Sequence, residues 1–199
     1  MSYLKNIKWE IVPLTIPAVI RNCPKCGNNA VYRSSGKFRV NANKNKLDIW
    51  LIYQCEKCKS TWNMGIYERI TPTDIDSQLY ELFLSNDIEL AKEYGFDIAI
   101  HNKNKVKLDF TNVEYGIIGE DIDIIKKDFK GKDKIILDII CKYPLGLRVD
   151  KVLSKKLGIS REKVKNLYEN SILMGENNKN LLKQKINDRV RIFFNGGIE

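Results

Sequence analysis

Two C-x-x-C pairs constrain this chain more than any other feature: Cys23-Pro24-Lys25-Cys26 and Cys55-Glu56-Lys57-Cys58, with 28 residues between Cys26 and Cys55. One tight turn can present two thiolates to a single ion. Two such turns complete the four-coordinate tetrahedral shell of soft ligands that Zn²⁺ prefers. Gly27 directly follows the first pair and permits the positive φ that such a turn tends to need. A redox dithiol would normally come singly at a helix start, and disulfides are disfavoured in a cytosolic chain. The expectation is therefore one structural zinc ion per chain, held by Cys23, Cys26, Cys55 and Cys58. Four cysteines fill the shell and leave no open catalytic position. Cys141 stands in a mostly apolar run, far from both pairs, and reads as a small core residue.

The residues around the cysteines favour strands. Lys46–Tyr53 is rich in β-branched and aromatic residues and runs straight into the second pair, with partner strands offered by Ala30–Val40 and Thr61–Ile70. The polar run Asn41–Asn45 makes a hairpin tip. Two cysteine turns joined by such a hairpin resemble a zinc ribbon, which implies a small antiparallel sheet with little core of its own over residues 1–71. The tip carries Lys37, Arg39, Lys44 and Lys46 with Phe38 interleaved. That pattern suits either a phosphate-contacting loop or a solvated one.

Upstream, Ile11–Ile20 is apolar but contains Pro13 and Pro17, and it is far short of the roughly 20 residues needed to span a bilayer. It reads as an extended segment packed on the first domain of a cytoplasmic protein with no membrane association. Residues 72–146 form an acidic α/β middle region. Thr71-Pro72-Thr73-Asp74 signals a helix start with Thr73 or Asp74 as N-cap, followed by Ile75, Leu79, Leu82 and Phe83 at helical spacing. A second short helix runs from Ile88 to Tyr94. Lys105–Phe110, Val113–Ile118 and Ile135–Cys141 read as strands.

The last unit, 147–199, has the clearest pattern. Val149, Val152, Leu153 and Leu157 define one helix closed by Gly158, and Ser160 caps a second carrying Val164, Leu167 and Tyr168. Short strands follow at Ile172–Met174 and Arg189–Phe194. Arg148, Lys151 and Lys155 share a helix face by spacing. Arg161 opens the second helix, where free N–H groups and the dipole favour phosphate, and Lys165 lies one turn on.

Arg148-Val149-Asp150-Lys151-Val152-Leu153, then Leu157-Gly158-Ile159-Ser160-Arg161, and finally Asn187-Asp188-Arg189-Val190-Arg191-Ile192 resemble the αL RNA-binding motif. That motif occurs in ribosomal small-subunit protein four, many pseudouridine synthases and tyrosyl-tRNA synthetases. The match departs in having Asn187 where the motif has Gly, and in Glu176 near the hairpin. The resemblance implies a two-helix plus β-hairpin module whose face, Arg148, Lys151, Lys155, Arg161 and Lys165, tracks an RNA backbone by charge and shape. Asp150 is expected to orient Arg148 or to cap locally. The order of W-E-I-V-P, C-P-K-C, the T-P segment and this motif is also similar to a bacterial domain-of-unknown-function family, number 1062. That likeness implies an architecture and no activity.

Charge placement supports contact with a polyanion. The chain of 199 residues carries 34 basic and 25 acidic groups, net +9, but 26 of the basic groups are Lys, a bias that base composition can produce. Split along the chain the balance is +8 over residues 1–70, −5 over 71–134 and +6 over 135–199, so both ends are basic around an acidic middle. No nucleophile–base pair, P-loop or H-E-x-x-H is present. His101, the single histidine, reads as a surface or half-buried residue. Glu120, Asp121 and Asp123 read as a solvated turn. The expected fold class is α+β, and the expected function is zinc-stabilised RNA binding without enzymatic activity, with tRNA or rRNA as partner. The alternative is a zinc-ribbon adaptor or regulator that binds a protein or DNA partner.

Overall fold

In the computed structural model, which describes residues 4–122, 134–176 and 180–195, the fold is α+β. It contains two five-stranded, mainly antiparallel sheets and, among the described residues, five short α-helices. The elements are β1 Leu4–Pro13, β2 Ala18–Cys23, β3 Gly27–Asn43, β4 Lys46–Cys55, β5 Thr61–Ile70, α1 Ser77–Ser85, α2 Ile88–Phe96 and α3 Ile98–Lys103. They continue with β6 Lys107–Asp109, β7 Tyr115–Ile118, β8 Lys134–Ile140, α4 Val149–Leu157, α5 Arg161–Glu169, β9 Leu173–Gly175 and β10 Arg189–Asn195.

The chain divides into two compact units, Leu14–Glu114 and Met1–Pro13 with Tyr115–Glu199. These do not follow the expected boundaries 1–71, 72–146 and 147–199. The acidic middle is split between the two units, because its helices pack on the cysteine-bearing sheet while β7 and β8 join the N- and C-terminal segments. The segment Ile11–Ile20 is likewise not one element. Its first residues end β1, the cysteine-bearing unit begins at Leu14, and β2 starts at Ala18.

In the Leu14–Glu114 unit the sheet order is β5-β4-β3-β2-β6, all antiparallel. Strand β4 shows why these residues pleat: Leu47, Ile49, Leu51, Tyr53 and Cys55 are buried, and the residues between them are not. That period of two places one apolar row against the helices. Ile49, Leu51 and Tyr53 are completely buried, and burial of each of the two aliphatic side chains is worth about 1.5–3 kcal/mol of transfer free energy. They pack in one cluster with Phe38, Phe83, Leu90 and Ala91, so this sheet has a substantial core rather than little of its own.

Aspartates set the helix starts. Asp76 accepts from Gln78 and Leu79 N–H, Asp87 from Leu90, and Asp97 from Ala99 and Ile100. The expected start at Thr73 or Asp74 is displaced, because Thr71 caps a short 3₁₀ turn, Pro72–Asp74, whose Asp74 carboxylate accepts from Thr71 N–H at 3.0 Å. Two side chains stand in for missing rungs of the sheet. At the β3 bulge between Ser34 and Phe38, Asn86 Oδ1 accepts from Phe38 N–H at 2.7 Å. At the β5 edge, Asn104 accepts from Gly65 N–H at 2.9 Å and donates to Gly65 C=O at 2.8 Å, which blunts that edge against further pairing.

In the other unit the order is β7-β1-β8-β10-β9, with β1 parallel to β8 and the remaining pairs antiparallel. The short C-terminal strands expected from sequence are observed as β9 and β10, paired antiparallel, but β10 also pairs with β8 and so belongs to a larger mixed sheet. Trp9, Leu137, Ile139, Ile192 and Phe194 are buried, as are Val149, Val152, Leu153 and Val164 on α4 and α5. Trp9 Nε1 donates to the Glu120 carbonyl at 2.7 Å. Next to it, Gly119 has φ 138°, and a Cβ there would lie 2.3 Å from Lys8 O, so only glycine fits. Gly158 ends α4 with φ 65°, and Ser160 Oγ accepts from Lys163 N–H at the start of α5. Pro13 and Tyr115 are register partners, so the cysteine-bearing unit departs from and returns to one rung of this sheet.

Candidate metal centre and basic face

The cysteine pairs sit in the turns that join β2 to β3 and β4 to β5. Since β2, β3, β4 and β5 are consecutive in the sheet, both turns emerge at the same end and bring the pairs together. In the second turn Cys55 N–H donates to Ser60 C=O and Lys59 N–H to Cys55 C=O, each at 2.9 Å. Gly27 and Lys59 have positive φ. The four sulfurs lie within 4.8 Å of one another, with 3.5 Å between Cys23 and Cys58 and 3.9 Å between Cys26 and Cys55. A tetrahedral ion bound to sulfur at 2.3 Å requires a sulfur–sulfur edge of about 3.8 Å, so these four residues could hold one metal ion. All five cysteines are free thiols, and Cys141 is buried, donating to Tyr143 C=O at 3.0 Å.

Ser60, which sequence reasoning did not single out, supports this cluster. Its hydroxyl lies 3.0 Å from Cys58 Sγ and 3.5 Å from Cys23 Sγ. Hydrogen bonding from Ser60, then from Tyr32, lowers the Cys23 thiol to about 5, and Ser60 also lowers Cys58. Cys26 is pushed up to about 12 by its hydrogen bond with Cys58 and by desolvation. Within the cluster, hydrogen bonding thus holds Cys23 and Cys58 toward the thiolate and Cys26 toward the thiol. The signal in the sequence was a hydroxyl two positions after the last cysteine, too common a pattern to read alone.

The five basic residues expected on one face separate into two groups. Arg148 and Arg161 converge on a single carboxylate. Arg148 donates to Asp150 Oδ1 at 3.1 Å and Oδ2 at 2.8 Å, and Arg161 donates to Oδ2 at 3.2 Å and 2.6 Å. Asp150 is buried. Burial alone would raise its carboxyl, but the Arg161 hydrogen bond and the charges of Arg148 and Arg161 outweigh this and hold it below the ordinary range. It therefore orients Arg148, and it orients Arg161 as well. Lys165 joins these two in a concavity of about 400 Å³ that also takes in Tyr168 and Lys183, and it approaches Glu169 at 3.5 Å. Lys183 was missed because it lies in a separate 3₁₀ turn, Leu181–Lys183.

Lys151 and Lys155 turn elsewhere. Lys155 Nζ donates to Tyr115 C=O at 2.7 Å and lies 4.1 Å from the centre of its ring, and Lys151 Nζ lies 5.9 Å from that same ring. Helical spacing put these lysines with Arg148; the nonlocal arrival of β7 reassigns them.

His101 is buried rather than superficial. Its Nδ1 meets Asp97 C=O at 2.6 Å and its Nε2 lies 3.5 Å from the Tyr53 hydroxyl, and burial lowers its pKa. In the acidic stretch, Glu120 pairs with Lys5 and Asp121 with Lys156, while Asp123 lies outside the described residues. No described helix is long and apolar enough to cross a membrane.

No curated protein and no solved structure matches the chain. A family model does match, over residues 40–179, which take in the second cysteine pair, the acidic middle and both helices of the arginine-bearing module. On that match the chain belongs to the family described as protein of unknown function, DUF1062.

Proposed function

We propose that this is a zinc-stabilised RNA-binding protein of the cytoplasm, and not an enzyme. Its cysteine cluster is a zinc ribbon that serves the fold, and its α4–α5 module, of the αL type, carries the RNA contacts. The observation that carries this reading is the pair of arginines gathered by Asp150 at the start of α5. Two guanidiniums fixed side by side at a helix N-terminus, with Lys165 and Lys183 nearby, suit successive phosphates of a folded RNA. Their orientation is already set, so less side-chain entropy is lost on binding. Lys151 and Lys155, held at Tyr115, supply a separate, secondary contact. Four thiolates and no weaker ligand favour zinc in a closed shell over a catalytic or hard cation.

The test is filter binding of the full chain to tRNA and to rRNA fragments over a salt series. The expected result is affinity that falls steeply with salt and drops at least about tenfold in the Arg148→Glu/Arg161→Glu double variant, with metal content unchanged. Absence of binding at low salt, or indifference to the double variant, would overturn it. Co-purification of a protein or DNA partner through the cysteine-bearing unit, surviving ribonuclease, would favour the adaptor reading instead.

A further inference from the structure

The Leu14–Glu114 unit contains a second cavity that neither the metal cluster nor the arginine surface uses. It measures about 470 Å³, within the usual range for small-molecule sites. Ile66 of β5, Leu79 of α1, Leu90 of α2 and Ile100 of α3 supply its apolar lining. At its polar side the hydroxyls of Tyr67 and Tyr94 face each other at 3.4 Å. Both rings also contact Phe83, at centroid distances of 6.1 and 5.4 Å. Two aromatic side chains with neighbouring phenol oxygens thus border the cavity.

Two carboxylates complete the lining, Glu93 and Asp97, one helical turn apart. Asp97 Oδ1 accepts from Ala99 and Ile100 N–H at 2.8 and 3.1 Å, and Oδ2 makes no hydrogen bond among the described residues. Glu93 has no ion-pair partner among the described residues. The lysines of α2 and α3 are engaged elsewhere: Lys92 with Glu89 at 2.6 Å, and Lys103 with Glu68 at 3.5 Å and with Ile66 C=O at 3.4 Å. The negative field reaches the phenols. Tyr94 is raised first by burial, then by Tyr67, and then by the charges of Glu93 and Asp97. Such a site repels anions. Its apolar walls and two carboxylates also fall short of the six or more oxygens that a hard divalent cation requires.

We propose that this cavity binds a small organic ammonium ion, with its charged head between Glu93, Asp97 and the two tyrosines and its apolar body against Ile66, Leu79, Leu90 and Ile100. The head gains charge-assisted hydrogen bonds and cation–π contact, and the body gains burial. This inference stands apart from the RNA reading: neither Arg148 nor Arg161 takes part, and either proposal can fail alone.

The test uses the full chain with 2-phenylethylammonium as the probe and 2-phenylethanol as its uncharged counterpart, followed by methyl NMR of Ile and Leu. The expected result is saturable shifts at Ile66, Leu79, Leu90 and Ile100 methyls. The ammonium should bind roughly tenfold more tightly than the alcohol. Glu93→Gln and Asp97→Asn should each erase much of that preference, and Asn remains a good helix cap, so α3 should keep its start. Equal affinity for both probes, shifts scattered elsewhere, indifference to both variants, or no shift at millimolar probe would each overturn the proposal.

Discussion

Gly27 and Lys59 hold the same position in the two cysteine turns: each follows the second cysteine of its pair, and each has a positive φ, 84° and 60°. A side chain in that region costs roughly 1–2 kcal/mol, a cost that glycine avoids and lysine bears. No atom lies within 4 Å of a Cβ built on Gly27, so a substitution there is opposed by the backbone alone. Lys59→Gly should stabilise the metal-loaded protein by up to about 1 kcal/mol, and Gly27→Val should destabilise it by about 1–2 kcal/mol. Urea midpoints of the two variants give the check; a loss of stability in Lys59→Gly, or no loss in Gly27→Val, would refute the equivalence of the turns.

The metal itself can be counted. The purified protein should carry one zinc ion per chain, and Cys55→Ser should abolish its retention. Cys141→Ser should leave the metal count unchanged. Chelation should expose amides of β2 to β5 to hydrogen exchange before those of β8 and β10, since ligand binding and folding of a cysteine site are coupled. Retention of the metal by Cys55→Ser would contradict the four-cysteine assignment.

Asp138 anchors the centre of the mixed sheet. Forked by Arg191 at 2.9 and 3.1 Å and by Arg189 at 3.0 and 2.7 Å, its carboxyl falls to about 2. A depressed carboxyl stabilises the fold above its unfolded value near 3.8 and loses that contribution as pH falls toward 2. Acid titration of stability should therefore show a loss of about 1–2 kcal/mol across that window, and Asp138→Asn should flatten it.

His101 acts in a different window. Its depressed pKa means that the unfolded chain takes up a proton first, so stability should decline as pH drops below about 6.5. His101→Gln should lower stability at neutral pH and remove the slope between pH 6.5 and 5. A wild-type stability curve that is flat there would show that the imidazole stays solvated.

Asp150 separates orientation from charge. Asp150→Asn keeps both arginines and makes the surface more positive, yet it removes the carboxylate that holds them together. RNA affinity should fall several-fold despite the added positive charge, whereas a purely electrostatic surface would gain affinity. The direction of change decides between them.

What the residues revealed and what they concealed divides along sequence distance. The cysteine pairs, the pleated rows of β3, β4 and β5, and the caps Gly158 and Ser160 are local patterns, and each was legible. The partner of β1 was not: nothing in Leu4–Pro13 says that it pairs with β8, because parallel pairing leaves no trace in either strand alone. The same holds for Lys151 and Lys155, whose helical spacing is right but whose neighbour, Tyr115, comes from a remote strand. α3 is six residues long, too short for periodicity to register. The burial of His101 on α3 involves Tyr53 of β4, again a contact distant in sequence.

The single rung shared by Pro13 and Tyr115 has a consequence for how the chain assembles. Strand β1 precedes its neighbour β8, which begins only at Lys134, by about 120 residues of chain. A loop of that length closes slowly, and an idle apolar strand invites mispairing in the meantime. If the Leu14–Glu114 unit condenses as it emerges, the effective loop shrinks to a short span. Closure of the cysteine-bearing unit would then bring β1 and β7 together at that rung before β8 is added.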